Sequence, residues 1–322
     1  MINSRSLSKN IQDNIKIKKI KMCNKKKLLI LLVAAFSFVL FSNKSFAVTF
    51  AVMGDTQSFE AGNANGALQK AAKKIKRKKI RAAIVMGDLK SDCYNDTTCL
   101  SYFNNWKSAI SPIYRKTYPV MGNHDRTYSG ADAIWQSVFK LPTNGPENYS
   151  ELSYAFNKGN SHFVVLNSSK PDSYIIDSNQ RNWLEQDLSR NRKKNIFVFY
   201  HMPAFPVSSH IGSALDLYPE ERDALWKILD RHKVTAVFSG HEHLFVRKKI
   251  DSSVFLSASN SIYQFTVGNT DTSAYPPPQE GSSEYYYLDK HFLIVKAKNK
   301  KITTELYSAV TGKKINTFSF KR

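Results

Sequence analysis

The sequence predicts an α/β protein from three observations: six short apolar runs rich in β-branched and aromatic residues, helical patterns between them, and a change near residue 250 to strands without helices. The runs are VTFAVM (48–53), IRAAIVM (80–86), TYPVM (117–121), HFVVL (162–166), NIFVFY (195–200) and VTAVFS (234–239). Unbroken apolar runs of this length fit strands buried on both faces. The first helical pattern spans 67–81 and turns Ala67, Leu68, Ala71, Ala72 and Ile75 inward, leaving its many lysines in water. A second spans 180–192. A third, 219–233, opens on Pro219 and Glu220 and carries Leu225, Ile228 and Leu229 at helical spacing. Beyond residue 250, VFLSAS (254–259), IYQFTV (262–267), HFLIVKAK (291–298), ITTELYS (302–308) and INTFSF (315–320) read as strands, with a hairpin through Asn299-Lys300-Lys301. The polar stretch 268–284, containing Pro276-Pro277-Pro278, reads as a long surface loop. No repeat or linker divides residues 48–322, so they are expected to form one domain.

The chain has 322 residues, 42% of them hydrophobic and 12% aromatic, which excludes disordered, collagen-like and low-complexity classes. Its net charge of +21 is the unusual figure, and nine of those charges fall in residues 1–47, where ten basic residues face the single acid Asp13. Lys25, Lys26 and Lys27 lead into a 14-residue apolar run, Leu28–Phe41, followed by Ser45-Phe46-Ala47. A basic segment, a short apolar core and small residues at a cleavage point are the pattern of a secretory leader, and the run is shorter than a bilayer-spanning helix needs. The expectation is an exported protein, periplasmic or secreted, with no stable membrane insertion after the leader is removed, and with Met22 a tidier start than Met1. In that setting Cys93 and Cys99, six apart in the polar segment DCYNDTTC, are expected to close a local disulfide worth roughly 2 kcal/mol on a chain-entropy model.

The chemistry stands at the ends of the runs. Five of the six end in a metal-type cluster: Gly54-Asp55-Thr56-Gln57, Gly87-Asp88, Gly122-Asn123-His124-Asp125, His201 and Gly240-His241-Glu242-His243. One Gly-Asp is ordinary turn chemistry; five in succession are not. Loops beyond the carboxyl ends of strands are where open α/β sheets bind ligands, so the clusters should converge. Asp55, Gln57, Asp88, Asn123, His201, His241 and His243 form a nitrogen and oxygen donor set without thiolate, suited to Fe, Mn or Zn and too numerous for one ion. Two cations held a few ångströms apart can clamp a phosphoryl group and acidify a water.

The ordered series Gly-Asp-Thr-Gln, Gly-Asp, Gly-Asn-His-Asp, a lone His after an apolar strand and Gly-His-Glu-His resembles the calcineurin-like metallophosphoesterases over about residues 48–248. The stretch from YHMPAFPVSSHIGSAL (200–215) to VFSGHEHLFVR (237–247) resembles the purple-acid-phosphatase-like branch. The resemblance implies a four-layer α/β/β/α sandwich with two packed mixed β-sheets, and two divalent or mixed-valence ions. One ion would be held by Asp55, Asp88 and His243, the other by Asp88, Asn123, His201 and His241. It implies attack on phosphorus in line by an activated water, with His124 protonating the leaving oxygen, Asp125 orienting His124, and His210 facing the substrate; Asn123, and Arg126 directly after the motif, are further candidates for contacting the substrate. Two departures stand out. Gln57 occupies a position where many members carry His, and Ser91 stands where purple acid phosphatases place Tyr, so the first ion should be held more loosely and no charge-transfer colour is expected.

The reading is an exported phosphoesterase acting on a phosphorylated small molecule or protein, with phosphomonoesterase favoured. A phosphodiesterase or nuclease with the same site is the first alternative, and a polyanion-binding surface protein with a degenerate site the second. The basic run Lys70–Arg81 is read as a solvated helix face and not as a nucleic-acid surface. His162, His232 and His291 are read as structural or surface residues without partners. Serine-hydrolase, Walker-loop and zincin motifs are absent from the sequence.

Overall fold

The computed structural model describes residues 47–322 apart from 59–61, 64 and 171–173, and before them only Lys18 and Met22. Of the leader only Lys18, Met22 and Ala47 are described; the rest, with Ser45 and Phe46 of the candidate cleavage point, lies outside the described residues. Thirteen strands and five α-helices are described: β1 (Val48–Met53), α1 (Ala67–Lys76), β2 (Ala82–Val85), α2 (Asp96–Ala109), β3 (Thr117–Pro119), α3 (Ala131–Val138), β4 (Tyr154–Lys158), β5 (Ser161–Val165), α4 (Ser178–Arg190), β6 (Asn195–Phe199), α5 (Pro219–Arg231), β7 (Ala236–Ser239), β8 (Phe245–Ile250), β9 (Ile262–Val267), β10 (Tyr285–Tyr287), β11 (His291–Lys298), β12 (Lys301–Ser308) and β13 (Lys314–Lys321). They make two mixed sheets, ordered β13-β12-β11-β1-β2-β3 and β10-β8-β9-β7-β6-β5-β4. β1, β2 and β3 run parallel, as do β5, β6, β7 and β9.

The period of two along each strand builds the layers. Phe50 and Val52 of β1 face the second sheet and meet Phe163, Phe197, Phe199 and Phe238 between the sheets. The Phe50 ring sits 4.9 Å from Phe197 and 5.1 Å from Phe163, within the range where tilted and edge-to-face pairs add about 0.5–1.5 kcal/mol beyond burial. Ala51 and Met53 face the other way, onto Leu68 and Ile75 of α1, Phe103 and Trp106 of α2 and Trp135 of α3. On the second sheet, Val164, Val198 and Val237 pack outward against Leu184 of α4 and Leu225 and Trp226 of α5. Helix, sheet, sheet and helix therefore stack as expected.

Several local expectations are corrected. Residues 254–259 form turns and not a strand: the Asp251 carboxylate accepts from Ser253 N at 3.0 Å and Asp230 accepts from Ser259 N at 3.0 Å, so short acid side chains hold the backbone in turns. Phe255 is buried there while Leu256 points into water. Cys93 and Cys99 are bonded, but Cys99 lies in the first turns of α2, a helix capped by the Asn95 carboxamide on Thr98 N, and both cysteines are buried. Residues 268–272 are buried and not a surface loop. The three structural histidines have partners: His162 lies between Asn157 and Asp187, His232 meets Glu185, and His291 meets the Asp289 carbonyl.

Candidate metal centre

The sheets bring the run ends together. Asp55 follows β1 and Asp88 follows β2; both are buried and both take positive φ, 52° and 50°. Non-glycine residues at such φ are uncommon and mark a turn that the surroundings enforce. Here the Asp55 N–H donates to the Gly87 carbonyl at 3.1 Å and the Thr56 N–H to the Asp88 carbonyl at 2.8 Å, locking one turn against the other. Glycine is needed beside them for space: a Cβ on Gly122 would strike the Asp88 carboxylate, and one on Gly240 the Asp55 carboxylate.

Asp88, His201 and His241 present ligand atoms within 4.8 Å of one another, and so do Asp55, Asp88 and His243. Asp88 belongs to both groups. Asn123 joins the first, its side-chain oxygen 3.0 Å from His201 Nε2. Gln57 joins the second, its amide nitrogen 3.2 Å from His243 Nε2.

Each of the three imidazoles is aimed by a backbone carbonyl. His201 donates from Nδ1 to Met86 at 2.6 Å, His241 from Nε2 to Ser213 at 3.0 Å, and His243 from Nδ1 to Ser273 at 3.0 Å. Spending one ring N–H this way fixes the tautomer and leaves the other nitrogen's lone pair for a cation.

Charge and polarity favour cations at this place. Burial pushes the Asp55 carboxyl well up, with the Asp88 charge adding to it, and leaves Asp55 Oδ2 without a hydrogen-bond partner; Gln57 Oε1 is likewise buried and unpartnered. Burial opposes the Asp88 charge too, but the charge and hydrogen bond of His201 draw its pKa below the ordinary range. His201 is raised to about 9, the Asp88 and Asp55 charges outweighing its desolvation. Burial lowers His241 well below its usual value and His243 to about 4, so these imidazoles stay neutral as ligands require. Two buried carboxylates, unpartnered oxygens and neutral imidazoles fit divalent cations.

Around this core the expectations divide. Asp125 does not orient His124: its carboxylate is fully buried and accepts from Leu89 N at 3.0 Å and Gly122 N at 2.9 Å, tying the Asp88 turn to the Asn123 turn. The partner of His124 is Asp92, whose Oδ1 lies 2.5 Å from Nδ1 in a half-exposed pair. Arg126 is held by Asp132 at 3.0 Å and by the Ser169 carbonyl at 3.0 Å, so its guanidinium is committed to the fold rather than presented to a phosphate. His210 does reach the site, stacking on His241 with ring centroids 3.8 Å apart. Ser91 donates to the Gln57 carbonyl at 2.7 Å, an anchoring role unlike that of a phenolate ligand.

Three contributors were missed in the sequence. Tyr275 stacks on His243 at 4.0 Å and its hydroxyl meets His210 Nε2 at 3.1 Å, so the proline-rich loop lies against one candidate ligand and against the candidate substrate contact His210. Glu242, between His241 and His243, is buried and accepts from Val207 N and Ser208 N, which fastens the segment carrying His210. Lys90 is buried and donates to the His124 carbonyl at 2.6 Å, holding the backbone of that residue.

The calcineurin-like phosphoesterase family pattern matches residues 48–245, and the chain belongs to that family. Among curated proteins it is similar to purple acid phosphatase 13 of Arabidopsis thaliana, 30% identical over 186 residues, covering 54% of this chain and 31% of that protein. It is also similar to a 3',5'-cyclic-nucleotide phosphodiesterase of Nostoc sp., 23% identical over 197 residues, covering 60% of this chain and 67% of that protein. The purple acid phosphatase of yellow lupin (Lupinus luteus) seeds shares the fold at a TM-score of 0.70 and 18% identity, over 87% of this chain and 54% of that one. This chain spans about a third to a half of the length of the purple acid phosphatases it matches. No described helix is long and apolar enough to cross a membrane.

Proposed function

We propose that the chain is an exported dinuclear phosphoesterase, with phosphomonoesters its substrates. The observation that carries this reading is the pair of buried ligand groups sharing Asp88. When bound, the two cations would bring the pKa of a water toward neutrality and offset the charge of the phosphoryl oxygens. Asp55, Asp88 and His243, with Gln57 beside them, would hold one ion; Asp88, Asn123, His201 and His241 would hold the other. His124 stands beside Asn123 and would give a proton to the leaving oxygen, with its ring turned by Asp92. The similarity to purple acid phosphatases favours a substrate with one ester substituent. Export is supported by the leader pattern and by a buried disulfide.

The similarity to a cyclic-nucleotide phosphodiesterase favours the second reading, diester hydrolysis at the same site. Turnover of p-nitrophenyl phosphate and its bis-ester, compared across Fe, Mn and Zn, decides between them. The proposal expects at least tenfold higher kcat/KM for the monoester; the reverse order would establish the diesterase, and no turnover of either ester with any metal would overturn both.

Metal removal tests the centre separately. A ligand at a hundred times its Kd stabilises a protein by about 2.7 kcal/mol, so a chelator should lower the melting temperature by several degrees and the fitting metal should restore it. With Gln57 in place of a charged or imidazole ligand, dialysis should remove one ion well before the other; two ions retained equally, by metal analysis, would count against that inequality.

A further inference from the structure

At the end of the sheets opposite the candidate metal centre lies a cavity of about 610 Å³. Lys233, Lys249, Lys300, Lys321 and Arg322 line it, and no carboxylate side chain does. Lys233 lies in the turn between α5 and β7, Lys300 in the hairpin between β11 and β12, and Lys321 at the end of β13, so separate parts of the chain bring their charges to one place. β7 runs from this cavity to Gly240, which puts it roughly 16 Å along the strand from the metal ligands.

The neighbouring acids are already engaged. Asp251 pairs with Lys249 at 2.9 Å, Glu284 with Arg247 at 3.1 Å, and Asp230 accepts from Ser259 and Asn260 backbone N–H groups. Among the described residues, Lys233, Lys300, Lys321 and Arg322 form no ion pair with a carboxylate. Lys301 stands directly opposite Lys321 in the β12–β13 ladder, so two exposed like charges face each other beside the cavity. The floor is aromatic: the Tyr263 and Phe320 rings lie 4.8 Å apart, one from each sheet. A concave apolar floor rimmed by convergent charges, of a volume suited to a small molecule, is the form of a ligand site rather than of a merely solvated basic surface.

We propose that this cavity is a second, non-catalytic site for a small anion carrying two or more phosphate groups. Lysine ammonium groups spread around a rim suit several phosphates at once, each as a point charge. The site is distinct from the basic face of α1, whose lysines lie on one helix and line no part of this cavity.

The test titrates inorganic tripolyphosphate by calorimetry, at low salt, into the full chain carrying His241→Ala, which disables hydrolysis. One equivalent should bind, and half-molar sodium chloride should weaken it at least tenfold. Adding Lys233→Glu, Lys300→Glu and Lys321→Glu should weaken it at least tenfold, while the same three changes in the wild-type chain leave p-nitrophenyl phosphate turnover within twofold and so report an intact fold. Equal binding with and without the three reversals would place the anion elsewhere and overturn the proposal, as would no binding at low salt. Capture by phosphatidylglycerol vesicles without binding of free tripolyphosphate would also overturn it, assigning the face to a membrane surface.

Discussion

Asp88→Asn should reduce phosphoester turnover by on the order of 10³-fold or more, about 4 kcal/mol in the barrier, with the fold retained. Asp88 is the one carboxylate common to both ligand groups, and one oxygen also accepts from the His124 N–H at 3.0 Å while the other lies 3.3 Å from His201 Nε2. Asparagine keeps the shape and one oxygen acceptor but removes the negative charge and the second oxygen, so two cations can no longer share it. Metal content should therefore fall together with turnover. Retention of two ions and of turnover within tenfold of wild type would show that Asp88 does not join the two groups.

How far the site was legible follows from where its residues lie in the chain. The seven candidate ligands each sit within a few residues of an apolar run, so strand prediction and motif reading reinforce one another, and the parallel strands β1, β2, β3, β6 and β7 bring those ends to one edge. The layers were legible for the same reason, since alternate residues such as Phe50 and Ala51 must part to opposite faces. The outer shell was not. Asp92 is 32 residues from His124 and reads as a surface acid until the turn after Asp88 folds back. Asp125 has the residue type and place of a catalytic acid, yet its burial commits both oxygens to backbone N–H groups and raises its pKa to about 6. Tyr275 lies within a polar stretch that reads as a surface loop, but Asp271 N donates to the Asp55 carbonyl and the Thr270 hydroxyl accepts from Gly54 N, which draws the loop onto the site. Helix α2 was hidden because only Cys99, Phe103 and Trp106 of its fourteen residues are buried, too narrow a stripe to announce a helix beside so many polar side chains.

His124→Ala should slow hydrolysis of an alkyl phosphate by about 10²–10⁴-fold and that of p-nitrophenyl phosphate by much less. The difference arises from the leaving group: an alkoxide needs a proton as the P–O bond breaks, whereas p-nitrophenolate leaves without one. Asp92→Asn should move the same ratio in the same direction by a smaller factor. Its carboxylate lies 2.5 Å from His124 Nδ1, where it turns the ring, and asparagine keeps a hydrogen bond without the charge. Asp92 follows Lys90, whose ammonium holds the His124 backbone carbonyl, so the ring and the main chain of His124 are anchored from one turn. Asp125→Asn acts elsewhere. Its oxygens brace Leu89 and Gly122, so its cost should appear as a lower melting temperature, with the alkyl-to-aryl rate ratio unchanged. If Asp125→Asn shifted the ratio and Asp92→Asn did not, the pairing seen in the structure would not be the one that acts during turnover.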